Sequence, residues 1–71
     1  MKFEIGDVLT LADNNDYVVS QAKMENGILY MLLIELPDYK SFKFVKVIND
    51  DTLETIEDVE EVEKLSAMFN Q

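Results

Sequence analysis

Seven consecutive apolar residues, 28–34, follow directly on Glu25-Asn26-Gly27. Asn-Gly supplies the two positive-φ residues of a type I′ turn, so the run reads as the second arm of a β-hairpin. Side chains alternate across a strand. Ile28, Tyr30, Leu32 and Ile34 therefore share one face, and Leu29, Met31 and Leu33 the other. A sheet with one wet face alternates apolar with polar, and this strand does not. It has to be central, with something covering each side. Leaving Leu29, Met31 and Leu33 in water would forgo roughly 1.5–3 kcal/mol each. That is a large share of the roughly 5 kcal/mol that holds a domain of this size together. The run falls far short of the roughly 20 apolar residues that span a bilayer.

The flanking sequence supplies partners for this strand. Turn signals recur through residues 6–56, as in an antiparallel meander. Strands are predicted over 8–12, 17–24, 28–36, 42–48 and 52–56. They are separated by Asp13-Asn14-Asn15-Asp16, by Asn26-Gly27, by the break Pro37-Asp38-Tyr39-Lys40-Ser41, and by Asn49-Asp50-Asp51. The period then changes. Val59, Val62, Leu65 and Met68 or Phe69 recur every three to four residues, the apolar face of a helix over 58–69. Asp58 with Glu61 three positions on is an acidic relative of the capping box. Asn70-Gln71 reads as a frayed end. The expected fold is α+β in a single domain, 1–71: a curved antiparallel sheet of about five strands, barrel-like if it closes, with one C-terminal helix packed on it.

Two points stay open at this level. Phe42 and Phe44 share one parity in the fourth strand, and Val45 and Val47 the other. Either a bulge near Phe44-Val45 brings all four to the core, leaving Lys43 and Lys46 in water, or the strand is buried on both faces near its middle. The second face of the central strand is covered either by the sheet curling, so that 3–11 and 42–47 close over it, or by a second chain. A net charge of −9 opposes pairing, so the closed monomer is favoured over a homodimer.

Composition narrows the chemistry. The 71 residues contain no Cys, His, Trp or Arg, and fifteen acids face six lysines. Without His or Cys, the usual nucleophilic triads and transition-metal sites are excluded, as are disulfides. The acidity repels nucleic acid, and no Arg is present for bidentate phosphate recognition. Nothing singles out two carboxylates as a general acid–base pair, and so short a chain offers little room for a ligand pocket of about 300 Å³. No catalytic residue, cofactor or metal ligand is therefore expected. Asp13-Asn14-Asn15-Asp16 and Asn49-Asp50-Asp51 are oxygen-rich, but turn chemistry accounts for both. Met1-Lys2-Phe3-Glu4 does not open like a signal peptide, and a cytoplasmic location is expected.

The loudest remaining signal is charge. Residues 51–71 hold seven acids against Lys64, a net of −6. Glu54, Glu57, Asp58, Glu60, Glu61 and Glu63 form the candidate interaction surface, suited to a basic protein partner. A solvated helix face that keeps the protein soluble accounts for the same residues. Lys40, Lys43 and Lys46 make a small basic patch, read as an edge-strand guard against aggregation. Tyr17, Tyr30 and Tyr39 read as sheet residues.

Three stretches carry a family likeness: Tyr17-Val18-Val19 after an Asp/Asn turn; Gly27-Ile28-Leu29-Tyr30-Met31-Leu32-Leu33; and Leu53-Glu54-Thr55-Ile56-Glu57-Asp58-Val59-Glu60-Glu61, leading into a helix that ends at Phe69. In these the chain resembles the YrzB-like family of small acidic Firmicute proteins, a domain of unknown function. The resemblance covers nearly everything over 6–69 and implies a bacterial protein, with no catalytic residue and no cofactor to carry over. The expected function is a non-catalytic interaction or regulatory module. The alternative is an acidic nucleic-acid mimic that blocks a basic groove of a DNA- or RNA-binding protein. A mimic needs carboxylates along an exposed stripe; an interaction module needs an exposed apolar patch with a polar rim.

Overall fold

The computed structural model describes residues 3–49 and 52–70. Five strands run in order: β1 (Val8–Thr10), β2 (Asp16–Glu25), β3 (Ile28–Glu35), β4 (Phe42–Ile48) and β5 (Thr52–Thr55). The helix α1 (Val59–Phe69) follows. The strands form one antiparallel meander in the order β1-β2-β3-β4-β5, curled into a half-barrel, with α1 on its outer face. The fold is α+β, as the periodicities predict. Asp50, Asp51 and Gln71 lie outside the described residues, so the turn and tail assigned to them are not described.

The doubly apolar strand β3 is central, and each face has its own core. On the inner face Leu29, Met31 and Leu33 are buried with Tyr17, Val19 and Val45. Leu9 of β1 and Leu53 of β5 both reach this cluster, along with Phe3 and Leu11. First and last strands thus meet over one core, which is what curling accomplishes. Leu29, Met31 and Leu33 are covered within one chain. On the outer face Phe44, Ile56, Leu65 and Phe69 form the second cluster, flanked by Tyr30, Leu32, Val62 and Met68.

The curl has a different origin from the one weighed above. β4 keeps unbroken register against β3, from Ile34↔Phe42 to Tyr30↔Lys46, and against β5. No bulge occurs at Phe44-Val45. Phe44 faces the helix and Val45 the inner core, so the strand is buried on both faces at its middle. The bulge is in β2: Val19 pairs with Leu33 but Gln21 with Leu32, leaving Ser20 as the extra residue. Tyr17 and Val19 face inward before it; Ala22, opposite Met31, faces inward after it. The same change of phase turns Lys23 to the helix side, where its Nζ donates to the Met68 carbonyl at 2.8 Å. α1 has no basic residue in its own last turn. Lys23 supplies, from a strand, the cation that the negative end of the helix favours.

Turns follow the sequence closely. Asn26 and Gly27 have φ of 52° and 79°, the left-handed pair of a type I′ turn. β1 ends two residues earlier than predicted. Leu11 and Ala12 belong to the turn, where the Leu11 amide donates to the Asn15 carbonyl and the Asn14 amide to the Leu11 carbonyl. Tyr17 and Tyr30 are sheet residues, but Tyr39 sits in the β3–β4 turn with φ of 58° and its side chain largely exposed.

Candidate interaction surface

α1 crosses the outer face of the sheet rather than lying along a strand, because β3 residues line open ground on both of its flanks. Phe69 stacks on Phe44 at 5.6 Å between ring centres, and Phe44 meets Phe42 edge-on at the same distance. A helix about 10 Å wide covers only about three residues of each strand it crosses. The outer face beyond it stays open.

On one flank this leaves a continuous apolar surface. Strand register aligns Val8 with Val18, Val18 with Ile34, and Ile34 with Phe42. The row spans four strands on the same face as Phe44. Val8 is 58% exposed and Phe42 60%, while Val18 and Ile34 are half-buried. Between this row and the helix runs a groove of about 230 Å³, lined by Leu32, Ile34, Phe42, Phe44, Ser66 and Asn70. Helical spacing puts Val59 and Glu63 on the same flank as Ser66 and Asn70.

The other flank carries a more polar cleft of about 340 Å³, lined by Glu25, Asn26, Tyr30, Glu61, Lys64, Leu65 and Met68. Its size exceeds what the chain length suggested. The helix, by crossing the sheet, makes a cleft on each side where a helix parallel to the strands would fill the space.

The six acids singled out from sequence do different things. Glu54, on the edge strand β5, pairs with Lys46 at 3.3 Å. Asp58 caps α1, accepting from the Glu60 amide at 3.1 Å. Glu61, the expected capping-box partner, instead lines the polar cleft. Glu57, Glu60 and Glu63 are exposed. The acids do not form one uniform stripe.

The lysines also separate. β4 lies between β3 and β5, so it is no edge strand, and the guard reading of Lys43 and Lys46 does not hold. The two sit on opposite faces. Lys46, opposite Tyr30, is on the helix side, and its hydrogen bond to Glu54 raises its pKa above the usual 10.5. Lys43 closes one end of the inner face. Its Nζ donates to Asp13 Oδ2 at 3.0 Å, and that bond raises its pKa. Lys40 pairs loosely with Asp38 at 4.0 Å, both well exposed.

Among the described residues Asp13 is the most engaged carboxylate. Oδ1 accepts from the Asn15 amide at 3.0 Å, and Oδ2 from the Tyr17 hydroxyl at 2.8 Å as well as from Lys43. The Asn15 amide first, then the Tyr17 and Lys43 donors, lower its pKa from 3.8 to about 2. Asp16 accepts from the Thr10 hydroxyl at 2.6 Å. These bonds give the carboxylates of Asp13 and Asp16 structural partners within the turn and the sheet. Among the described residues no three acids cluster as a metal site, and no helix is long and apolar enough to cross a membrane.

Sequence reasoning missed the apolar row. The signal for it was present: one short helix cannot cover the outward side chains of strands eight and ten residues long. The chain matches no protein-family model, no curated protein and no solved structure.

Proposed function

We propose that the chain is a non-catalytic protein-interaction module, a small acidic protein of the YrzB-like kind, acting as a closed monomer in the cytoplasm. The observation that carries this reading is the apolar row Val8–Val18–Ile34–Phe42, left open beside α1 with Val8 and Phe42 more than half exposed. Contiguous exposed apolar surface on a small soluble domain marks a docking site. The dispersal of the acids weighs against a nucleic-acid mimic: Glu54 and Asp58 are engaged within the fold, and Glu61 lines a separate cleft. The missing His, Cys and Arg support a non-catalytic role.

Affinity purification with the wild-type chain and a folded Phe42→Ser variant tests the reading. A protein retained by the first and lost by the second supports it; equal recovery on both, or none on either, counts against it. A screen against esters, phosphoesters and peptides should return no turnover. An activity that travels with the chain and disappears on Glu25→Gln or Glu61→Gln would overturn the non-catalytic part.

A further inference from the structure

Resting on that reading, we infer that the groove between α1 and the Ile34–Phe42 end of the sheet takes a basic segment of another protein. The segment inserts one aromatic or branched aliphatic side chain between Phe42 and the Ser66–Asn70 wall and lays Lys or Arg against Glu63 of α1.

The groove's chemistry sets the anchor. Leu32, Ile34, Phe42 and Phe44 make its floor and outer wall, and Ser66 and Asn70 its helix wall. A volume of about 230 Å³ lies below the roughly 300 Å³ where ligand clefts begin, and suits a single large side chain. Phe42 and Phe44 are already edge-on to each other, so an entering ring meets a preformed aromatic corner.

Charge sets what flanks the anchor. Glu63 lies on the groove side of α1, with Glu60 and Glu57 exposed toward its start. Lys64, the base within α1, lines the opposite cleft. An approaching segment therefore meets the Glu63 carboxylate beside the Ser66–Asn70 wall, on a chain of net charge −9, which favours Lys and Arg and repels an acidic sequence. The same asymmetry disfavours a second copy of this chain. A two-fold interface sets each patch against itself, so the two Glu63 carboxylates would be drawn together between chains that each carry −9.

The test is an amide-resolved NMR titration with three synthetic peptides: Lys-Arg-Leu-Phe-Lys-Arg, the same peptide with Ala for Phe, and Glu-Asp-Leu-Phe-Glu-Asp. The first should produce saturable shifts centred on Ile34, Phe42, Ser66 and Asn70. Replacing its Phe by Ala should weaken binding about tenfold or more, the loss expected for one buried aromatic. The acidic peptide should leave the spectrum unchanged. Phe42→Ser should weaken the first peptide comparably. Asn70→Arg, at an exposed helix end that tolerates a cation, should weaken it by repulsion with the fold intact. Shifts centred instead on Asn26, Glu61 and Lys64 would overturn the groove assignment and leave the interaction reading standing. Equal binding of the acidic and basic peptides would overturn the charge assignment. Absence of binding by either peptide would overturn the groove proposal, and the purification experiment then decides the broader reading independently. A doubled mass in light scattering, with groove resonances broadened before any peptide is added, would make a second copy the occupant and overturn the proposal.

Discussion

The Lys43 ammonium sits 5.1 Å from the centre of the Tyr17 ring, and both groups donate to one oxygen of Asp13. Tyr17 is on β2 and Lys43 on β4, so this node ties two strands separated by β3 to the turn between β1 and β2.

The node makes stability depend on pH in a defined sense. Asp13 has its folded pKa lowered from 3.8 to about 2. Its contribution is complete above 3.8 and is lost as pH falls through about 2. Lys43 is raised, so its contribution is complete below 10.5 and is lost at more alkaline pH. Asp13→Asn should lower the melting temperature at neutral pH, and thermal melts of variant and wild type should converge as pH approaches 2. A difference that persists unchanged in acid would show that the carboxylate's charge is not what the node uses.

Leu33 is fully buried on the inner face. Leu33→Ala should cost about 2–5 kcal/mol in urea titration, and Leu33→Asp should leave the chain unfolded by circular dichroism. A folded, monomeric Leu33→Asp protein would mean that the inner face is not the core.

Asp58 holds the first turn of α1 through the Glu60 amide. Asp58→Ala should cost about 1 kcal/mol, read from chemical denaturation. The same substitution at neighbouring exposed Glu57 should fall within about 0.5 kcal/mol. Equal losses at the two positions would remove the distinction between a cap and a solvated acid.

Of the six acids, Glu63 lies on the groove flank, and Glu57 and Glu60 add exposed charge near the start of α1 that steers a basic partner. The triple Gln variant should slow association at low salt, and the deficit should shrink as salt screens the wild type. Stopped-flow mixing with the basic peptide reads this directly. Glu61→Gln, on the other flank, should change the rate little.

Element order and both cores were legible because local and long-range signals agreed. Asn26-Gly27 fixed the hairpin, and the two-faced run after it required a central strand. The helix period was clear from Val62, Leu65 and Phe69. The position of the bulge was not legible. Around Ser20 the side chains Val19, Gln21, Ala22 and Lys23 fit either phase, and only pairing with β3 distinguishes them. Parity in β4 suggested a bulge there because Phe44 and Val45 are both apolar, yet a strand buried on both faces needs none. The groove was not legible for a related reason: periodicity gives the face of a helix but not the angle at which it crosses the sheet. The break over 37–41 already placed Tyr39 between strands; grouping it with the sheet tyrosines went by residue type alone, which carries no trace of its left-handed φ.

The extra residue in β2 governs how sharply this sheet bends, and not which side chains enter which core. Ser20 stands opposite no residue of β3, so its deletion would leave Val19 opposite Leu33 and Gln21 opposite Leu32, with Ala22 still inward and Lys23 still toward the Met68 carbonyl. What the deletion would take away is the local kink and the added twist. A chain one residue shorter would thus keep its pairing and flatten, drawing Leu9 and Leu53 away from the core they both cover.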